Sequence, residues 1–432
     1  MRRGLTFGGG AIAGVVLGAV LTLGIQAWTL PTPAAPRSQS PLPLTRPSPP
    51  ETFLAWVPRG LPQGFAARVR RLPTVGRMTV VAEDNVWLMR SWSAAGELVD
   101  HPAQPYAIPL DAAGVDPRSF APFLPPADRS TLAAVENGEG ILGSTSASVR
   151  GLGPGAILDF GGGHTVRIAA VLPDELVGAA ELLVSEETGR RIGIVRDRYL
   201  LLQPADGHRL SSRSLRKMIQ PLLPPDLGVF GRVQVRAPGE TPYFRAGDAV
   251  LPPVLLKALF GEFGARTVKG QPGYIDVDPG WRSTHLVTTQ IPVLGEVTCH
   301  RGIVPQLRGA MRELRSAGLG HLITSFNGCF VPRFISRDPT AMLSHHTWGI
   351  AFDMNLVGNY YGAAPHQDPR LVETLARWGF LWGGLFVVPD GNHFEYRRSP
   401  ATGKPATSPP ADRLWAWPWP ARRFAEGSPS DP

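Results

Sequence analysis

Two short runs concentrate the chemistry of this chain: Ser344-His345-His346-Thr347-Trp348-Gly349-Ile350-Ala351-Phe352-Asp353, then Asp390-Gly391-Asn392-His393-Phe394-Glu395. His346, Asp353 and His393 offer two imidazoles and a carboxylate, a donor set that suits zinc. Three protein ligands with a fourth position left open are how a catalytic zinc site is built. Asp390, three residues before His393, is the spare carboxylate, placed to take a proton from an attacking water and pass it to a leaving amine. The developing oxyanion needs a positive or hydrogen-bond-donating partner. Arg333 is the first candidate for that role and Arg337 the second. Glu395 is placed to orient a ligand histidine from behind. The chemistry expected of such a set is metal-assisted hydrolysis of a peptide bond.

These side chains need elements to carry them. Read as a strand, 349–355 points Ile350, Phe352 and Met354 into a core and leaves Ala351 and Asp353 on the other face. His393 and Glu395 share one face of a second strand, His393–Tyr396, and Phe394 and Tyr396 share the other. Ile303, Leu307, Ala310, Met311 and Leu314 follow helical spacing. Asp368 and Pro369 are a capping carboxylate and a fixed first turn for another helix, ending near Gly379. His321–Phe326 and Gly384–Val388 read as strands. The expectation is α+β: a small peptidase domain over residues 270–412, with a central antiparallel sheet and flanking helices. Trp378 and Trp382 are candidates to line a substrate groove, but aromatic residues at a helix end more often belong to the core.

The pattern Ser344-x-His346-x-x-Gly349-x-Ala351-x-Asp353, followed by Asp390-x-x-His393-Phe394-Glu395, resembles the D-alanyl-D-alanine peptidase family of zinc enzymes, which includes dipeptidases, carboxypeptidases and L-alanyl-D-glutamate endolysins. The resemblance covers roughly residues 280–400. It implies that His346, Asp353 and His393 are zinc ligands and Asp390 the catalytic acid/base, and that the substrates are peptidoglycan stem peptides. Cys329-Phe330-Val331-Pro332-Arg333 is similar to the family's arginine-bearing segment. Aspartate at 390 resembles the endolysin and carboxypeptidase branches; the dipeptidases carry glutamate there. A non-catalytic wall-binding module that kept the fold is the alternative, and the intact Asp390 favours the enzyme.

The remainder of the 432 residues sets the context. Arg2 and Arg3 precede an apolar run from Leu5 to Leu30, long enough to cross a bilayer, with its positive flank towards the cytoplasm. Residues 1–30 are therefore expected to be a membrane anchor, or a cleaved signal segment, that leaves the rest extracytoplasmic. Residues 31–74, rich in Pro, Ser and Thr, are expected to be a linker. Residues 75–265 are expected to form a mixed α and β domain, with Asp84-Asn85 as a turn between two strands and a hairpin turning at Gly161-Gly162-Gly163. Helices are expected at Asp128–Glu136, Ser185–Ile192, Ser212–Leu222 and Pro253–Phe263. Residues 413–432 form a Pro- and Trp-rich tail. The net charge of +8 suits an anionic wall or membrane surface, and no nucleic-acid-binding motif accompanies it. The two cysteines, Cys299 and Cys329, are too few for a thiolate zinc site; outside the cytoplasm such a pair is often a disulfide.

Overall fold

The computed structural model describes residues 52–240, 243–248 and 251–397. The apolar segment 1–30, the start of the Pro-rich stretch and the tail 413–432 lie outside the described residues. Among the described residues, no helix is long and apolar enough to cross a membrane.

The first half is built on a ten-stranded mixed sheet. Its strands are β1 (Phe53–Trp56), β2 (Val75–Leu88), β3 (Arg90–Trp92), β4 (Ile108–Val115), β5 (Gly140–Gly143), β6 (Ile157–Asp159), β7 (Thr165–Leu172), β8 (Leu182–Ser185), β9 (Asp197–Pro204) and β10 (Gln234–Arg236). They lie in the order β10-β1-β9-β2-β4-β8-β5-β7-β6-β3. Consecutive side chains enter opposite cores, as the two-residue period of a strand requires. Ala113, Leu183 and Ile141 pack in one cluster, and their neighbours Ala112, Leu182 and Leu142 in another. The middle of the sheet is thus buried on both faces, and β4 is buried along its whole length.

Two expectations for this half are corrected. The linker does not extend to residue 74: Phe53, Leu54, Ala55 and Trp56 are buried in β1, which lies between β9 and β10. The prolines that follow at 58, 62 and 73 obscured this short apolar run. Asp84-Asn85 is not a turn either, since β2 runs unbroken through it. The polar pair is satisfied in place. Asp84 accepts from the backbone N–H of Val195 (2.8 Å) and Arg196 (2.9 Å) and from Arg198 (2.7 Å), and Asn85 donates to the Ala341 carbonyl (3.1 Å). The hairpin at Gly161-Gly162-Gly163 joins β6 to β7.

The second half has β11 (Ala265–Val268) paired with β12 (Gln271–Val277), β13 (Leu286–Ile291) paired with β14 (Gly295–His300), and a three-stranded antiparallel sheet. That sheet orders β15 (Ala351–Asp353), β17 (His393–Tyr396) and β16 (Phe380–Trp382) as β15-β17-β16. Helices Val304–Ser316 and Pro369–Arg377 pack in the same core. Helix Pro253–Phe260, assigned from sequence to the first domain, also belongs here: Leu256, Phe260 and Phe263 sit in this core. The strand expected at His321–Phe326 is a turn of 3-10 helix at Gly320–Leu322 and a single bridge from Phe326 to Met354. Gly384–Val388 is not a strand; the strand falls just before it, at Phe380–Trp382. Trp378 and Trp382 are buried, as expected.

Candidate metal centre

Ser344 starts a 3-10 turn, His345–Trp348, and Gly349 ends it with φ 69°. A side chain at Gly349 would be strained by that φ and would place a Cβ 3.0 Å from the His300 backbone nitrogen. The chain then enters β15. Antiparallel register sets Asp353 directly opposite His393 and Ala351 opposite Glu395. Phe352 and Phe394 pair on the other face, fully buried, with ring centroids 5.7 Å apart. The two strands therefore bring together residues separated by 40 positions.

His346, Asp353 and His393 converge with one donor atom each. His346 Nε2 is 3.1 Å from Asp353 Oδ1 and 3.2 Å from His393 Nδ1, and His393 Nδ1 is 3.0 Å from Asp353 Oδ1. Zinc bonds of about 2.0–2.1 Å in a tetrahedron need donors about 3.3 Å apart, so this triangle fits after opening by a few tenths of an ångström. The ring nitrogens facing away from it are also engaged. His346 Nδ1 lies 3.1 Å from the Cys329 carbonyl and His393 Nε2 3.2 Å from Glu395 Oε2. An acceptor behind each ring fixes a proton there and leaves the inner nitrogen as the one a metal would take.

The electrostatics follow from burial with two carboxylates close by. Burial pushes the His346 imidazole down to about 4, even with Asp353 beside it. Burial also disfavours charge on His393, but Asp353 and Glu395 outweigh it and hold that imidazole up at about 10. Asp353 is buried too, and His346 and His393 keep it well below the usual carboxylate range. Glu395 is held low against burial by Arg397 and His345, whose Nδ1 stands 2.6 Å away. His345 thus pairs with Glu395, behind His393.

Asp390 sits in the turn before β17. Its Oδ1 accepts from Asn392 Nδ2 at 2.7 Å, and burial raises its pKa to about 6 against the pull of His393. Arg333 Nη2 lies 3.4 Å from Asp353 Oδ2. Its backbone is tied at both ends to Thr347: N–H donates to Oγ1 (3.1 Å), and Oγ1 donates back to the carbonyl (3.0 Å). The structure thus gathers His346, Asp353 and His393, with Arg333 against Asp353 and Asp390 within the field of His393. Sequence reading missed Thr347, Asn392 and the Cys329 carbonyl. The first two lie inside the runs already singled out. The carbonyl lies in a loop that the Cys299–Cys329 disulfide ties to β14.

Residues 337–396 match the protein-family model described as D-alanyl-D-alanine carboxypeptidase. That stretch holds His346, Asp353, Asp390 and His393, so this part of the chain is similar to that peptidase family at each of those positions. No curated protein matches the chain. Among solved structures, the periplasmic region of MacB from Actinobacillus actinomycetemcomitans is 13% identical, with a TM-score of 0.29 over 44% of this chain and 90% of that one. The extracellular domain of the noncanonic ABC-type transporter YknZ from Gram-positive bacteria is 14% identical, with a TM-score of 0.28 over 43% and 99%. A domain of a putative permease protein from Porphyromonas gingivalis is 15% identical, with a TM-score of 0.26 over 43% and 86%. Likeness at that level carries no argument about this chain.

Proposed function

We propose that this protein is a zinc-dependent peptidase that hydrolyses peptide bonds in peptidoglycan stem peptides, of the D-Ala-D-Ala carboxypeptidase or L-Ala-D-Glu endopeptidase type. The observation that carries the reading is the triangle of His346, Asp353 and His393, each imidazole backed by its own acceptor. A zinc ion held there supplies a Lewis acid and acidifies water to a pKa of about 7. Asp390, raised to about 6, is ionised at neutral pH yet basic enough to accept the proton of the attacking water and deliver it to the leaving amine. Arg333 donates to the oxyanion from beside Asp353. Glu395 holds the His393 ring in place.

The setting we propose is the extracytoplasmic face of a membrane, with residues 1–30 as anchor. The disulfide between Cys299 and Cys329 suits an oxidising compartment. Asp390→Asn tests the assignment. The variant should keep stoichiometric zinc by elemental analysis while kcat on purified peptidoglycan falls about 10²–10⁴-fold. His346→Ala should lose the metal. Normal turnover by Asp390→Asn would remove the base, and a metal-loaded wild type without turnover would favour the wall-binding alternative.

A further inference from the structure

Arg333 and Arg337 belong to one small hairpin. Phe334 bridges Leu343, Ile335 N–H donates to the Met342 carbonyl (2.9 Å), and Ser344 N–H donates to the Arg333 carbonyl (3.0 Å). One stem carries Arg333, the other leads into His346, and Arg337 sits at the tip. The tip is strained: Ser336 and Arg337 are consecutive non-glycine residues with φ 55° and 56°. Left-handed residues of this kind persist where the surroundings over-determine them, and they cluster at functional sites.

The surroundings here come from two directions. On one side, Gly273 leaves room for the Arg337 backbone; a Cβ at Gly273 would lie 2.2 Å from the Arg337 carbonyl oxygen. On the other, the ten-stranded sheet reaches across. Arg198 Nη2 donates to the Thr340 carbonyl (2.6 Å), Asn85 Nδ2 to the Ala341 carbonyl (3.1 Å), and Arg196 stands 3.7 Å from Asp338. Arg198 is itself fixed by Asp84 and the Glu83 carbonyl, so the clamp is anchored in the sheet.

This strain and clamping aim one side chain. Arg337 Nε donates to the Tyr274 hydroxyl, and its guanidinium lies 5.6 Å from the Tyr274 ring centroid. Tyr274 also bridges Arg333 through the backbone, so one residue spaces the two arginines. The hairpin that carries Arg337 at its tip is rooted at the centre, since Arg333 lies 3.4 Å from Asp353 and its carbonyl accepts from Ser344, two residues before His346. Arg333 faces Asp353 and the centre. Arg337 is exposed, and no acceptor among the described residues takes its terminal nitrogens. An exposed guanidinium held by Nε, with both terminal N–H edges open, presents the fork that pairs with a carboxylate.

We propose that Arg337 anchors a carboxylate of the substrate, and that the ten-stranded sheet, through Asn85 and Arg198, holds the anchor in position. This rests on the peptidase reading and gives residues 75–265 a role in substrate binding. Stem peptides carry carboxylates at the C-terminus and along the chain, and the test distinguishes them. Cleavage kinetics are measured on a stem peptide, on its C-terminal amide and on the same peptide with its internal carboxylates amidated. Binding of a stem-peptide analogue with an uncleavable bond is measured by calorimetry. Arg337→Ala should raise KM and the calorimetric Kd about 10- to 100-fold for peptides that keep the bound carboxylate, with kcat nearly unchanged. It should have no effect on the peptide whose amidation removes that carboxylate, and that peptide identifies the source. Arg337→Lys should recover part of the loss. Asn85→Ala should weaken binding several-fold for the same peptides alone, with zinc content unchanged. An Arg337→Ala loss equal for all three peptides, or no loss, would overturn the anchor while leaving the peptidase reading intact. A wild-type protein that cleaves no stem peptide would overturn both.

Discussion

Free of metal, the proposed centre should show a charge pattern that can be read directly. Asp353 and Glu395 flank His393, with contacts of 3.0 and 3.2 Å. Without a divalent ion, a proton on His393 supplies the positive charge between them, and its pKa stands at about 10. His346, with the Cys329 carbonyl behind it and a value of about 4, stays neutral. At pH 7 His393 keeps its proton, which a metal entering the centre would have to displace. An ordinary histidine near 6.5 would be only about a quarter protonated at that pH. The assay is nitrogen-detected NMR of histidine-labelled, metal-stripped protein from pH 5 to pH 8, with His393→Gln for assignment. His393 should remain an imidazolium throughout and His346 a neutral ring, and adding zinc should convert His393 to the neutral form. The signs also fix the stability of the stripped protein. The raised His393 contributes fully below about 6.5 and less as pH climbs towards about 10; the depressed His346 contributes above about 6.5 and less as pH falls towards about 4. For this pair alone, stability peaks near pH 6.5. Two rings that both titrate near 6.5 would refute the reasoning.

Two further measurements address other parts of the molecule. Glu83 is buried with Arg245 and Asp111; burial, with Asp111 adding to it and Arg245 opposing, raises its carboxyl from 4.5 to about 8. Folding therefore favours the protonated form. Its contribution is complete below about 4.5 and lost as pH rises through about 8, so the melting temperature should fall across that window, and Glu83→Gln should flatten the fall. Cys299 and Cys329, 30 positions apart, close a loop whose loss should cost about 3–4 kcal/mol in denaturant titrations of the double alanine variant. An unchanged midpoint would show that the crosslink does not limit stability.

The candidate site was the most legible part of the sequence, because strand alternation and antiparallel register are short-range rules. The face shared by Ala351 and Asp353, the face shared by His393 and Glu395, and the core side of Phe352 and Phe394 all follow from a period of two. The cap at Asp368 follows from residue type alone, since its side chain accepts from the Arg370 N–H. What failed was long-range. Asp84-Asn85 has turn chemistry, yet Arg198, 114 residues away, satisfies Asp84 within a strand. Phe53–Trp56 reads as a fragment of linker until β9 and β10 flank it. The span Gly384–Val388 has strand composition, but Trp382 donates to the Gly391 carbonyl (2.7 Å), and the strand starts four residues earlier, at Phe380. In each case a distant partner outweighed the local propensity.

The same long-range contacts argue against a self-sufficient peptidase domain. Leu256, Phe260 and Phe263 are at most 2% exposed and sit in the second core, although they precede β11. The Phe260 ring meets His300 edge-on at 5.1 Å, and Phe263 lies 5.0 Å from Trp348, beside the motif. The Phe260 and Gly261 carbonyls also accept from His300 Nε2 (3.1 Å) and Trp348 Nε1 (3.2 Å). Losing one large aromatic side chain from a core costs about 3–5 kcal/mol, against a total stability of about 5–15. A fragment of residues 266–397 should therefore show no cooperative melt and a collapsed NMR dispersion. Extending it back to residue 251 restores the aromatic packing but takes Glu181 (2.7 Å) and the Pro109 carbonyl (2.6 Å) away from Lys257 and leaves it Glu262 (3.1 Å) alone. With two of its three partners gone, that fragment should melt below the full chain, and Lys257→Met should narrow the gap. A sharp melt and dispersed spectrum from 266–397 alone would show that the core closes without the helix Pro253–Phe260.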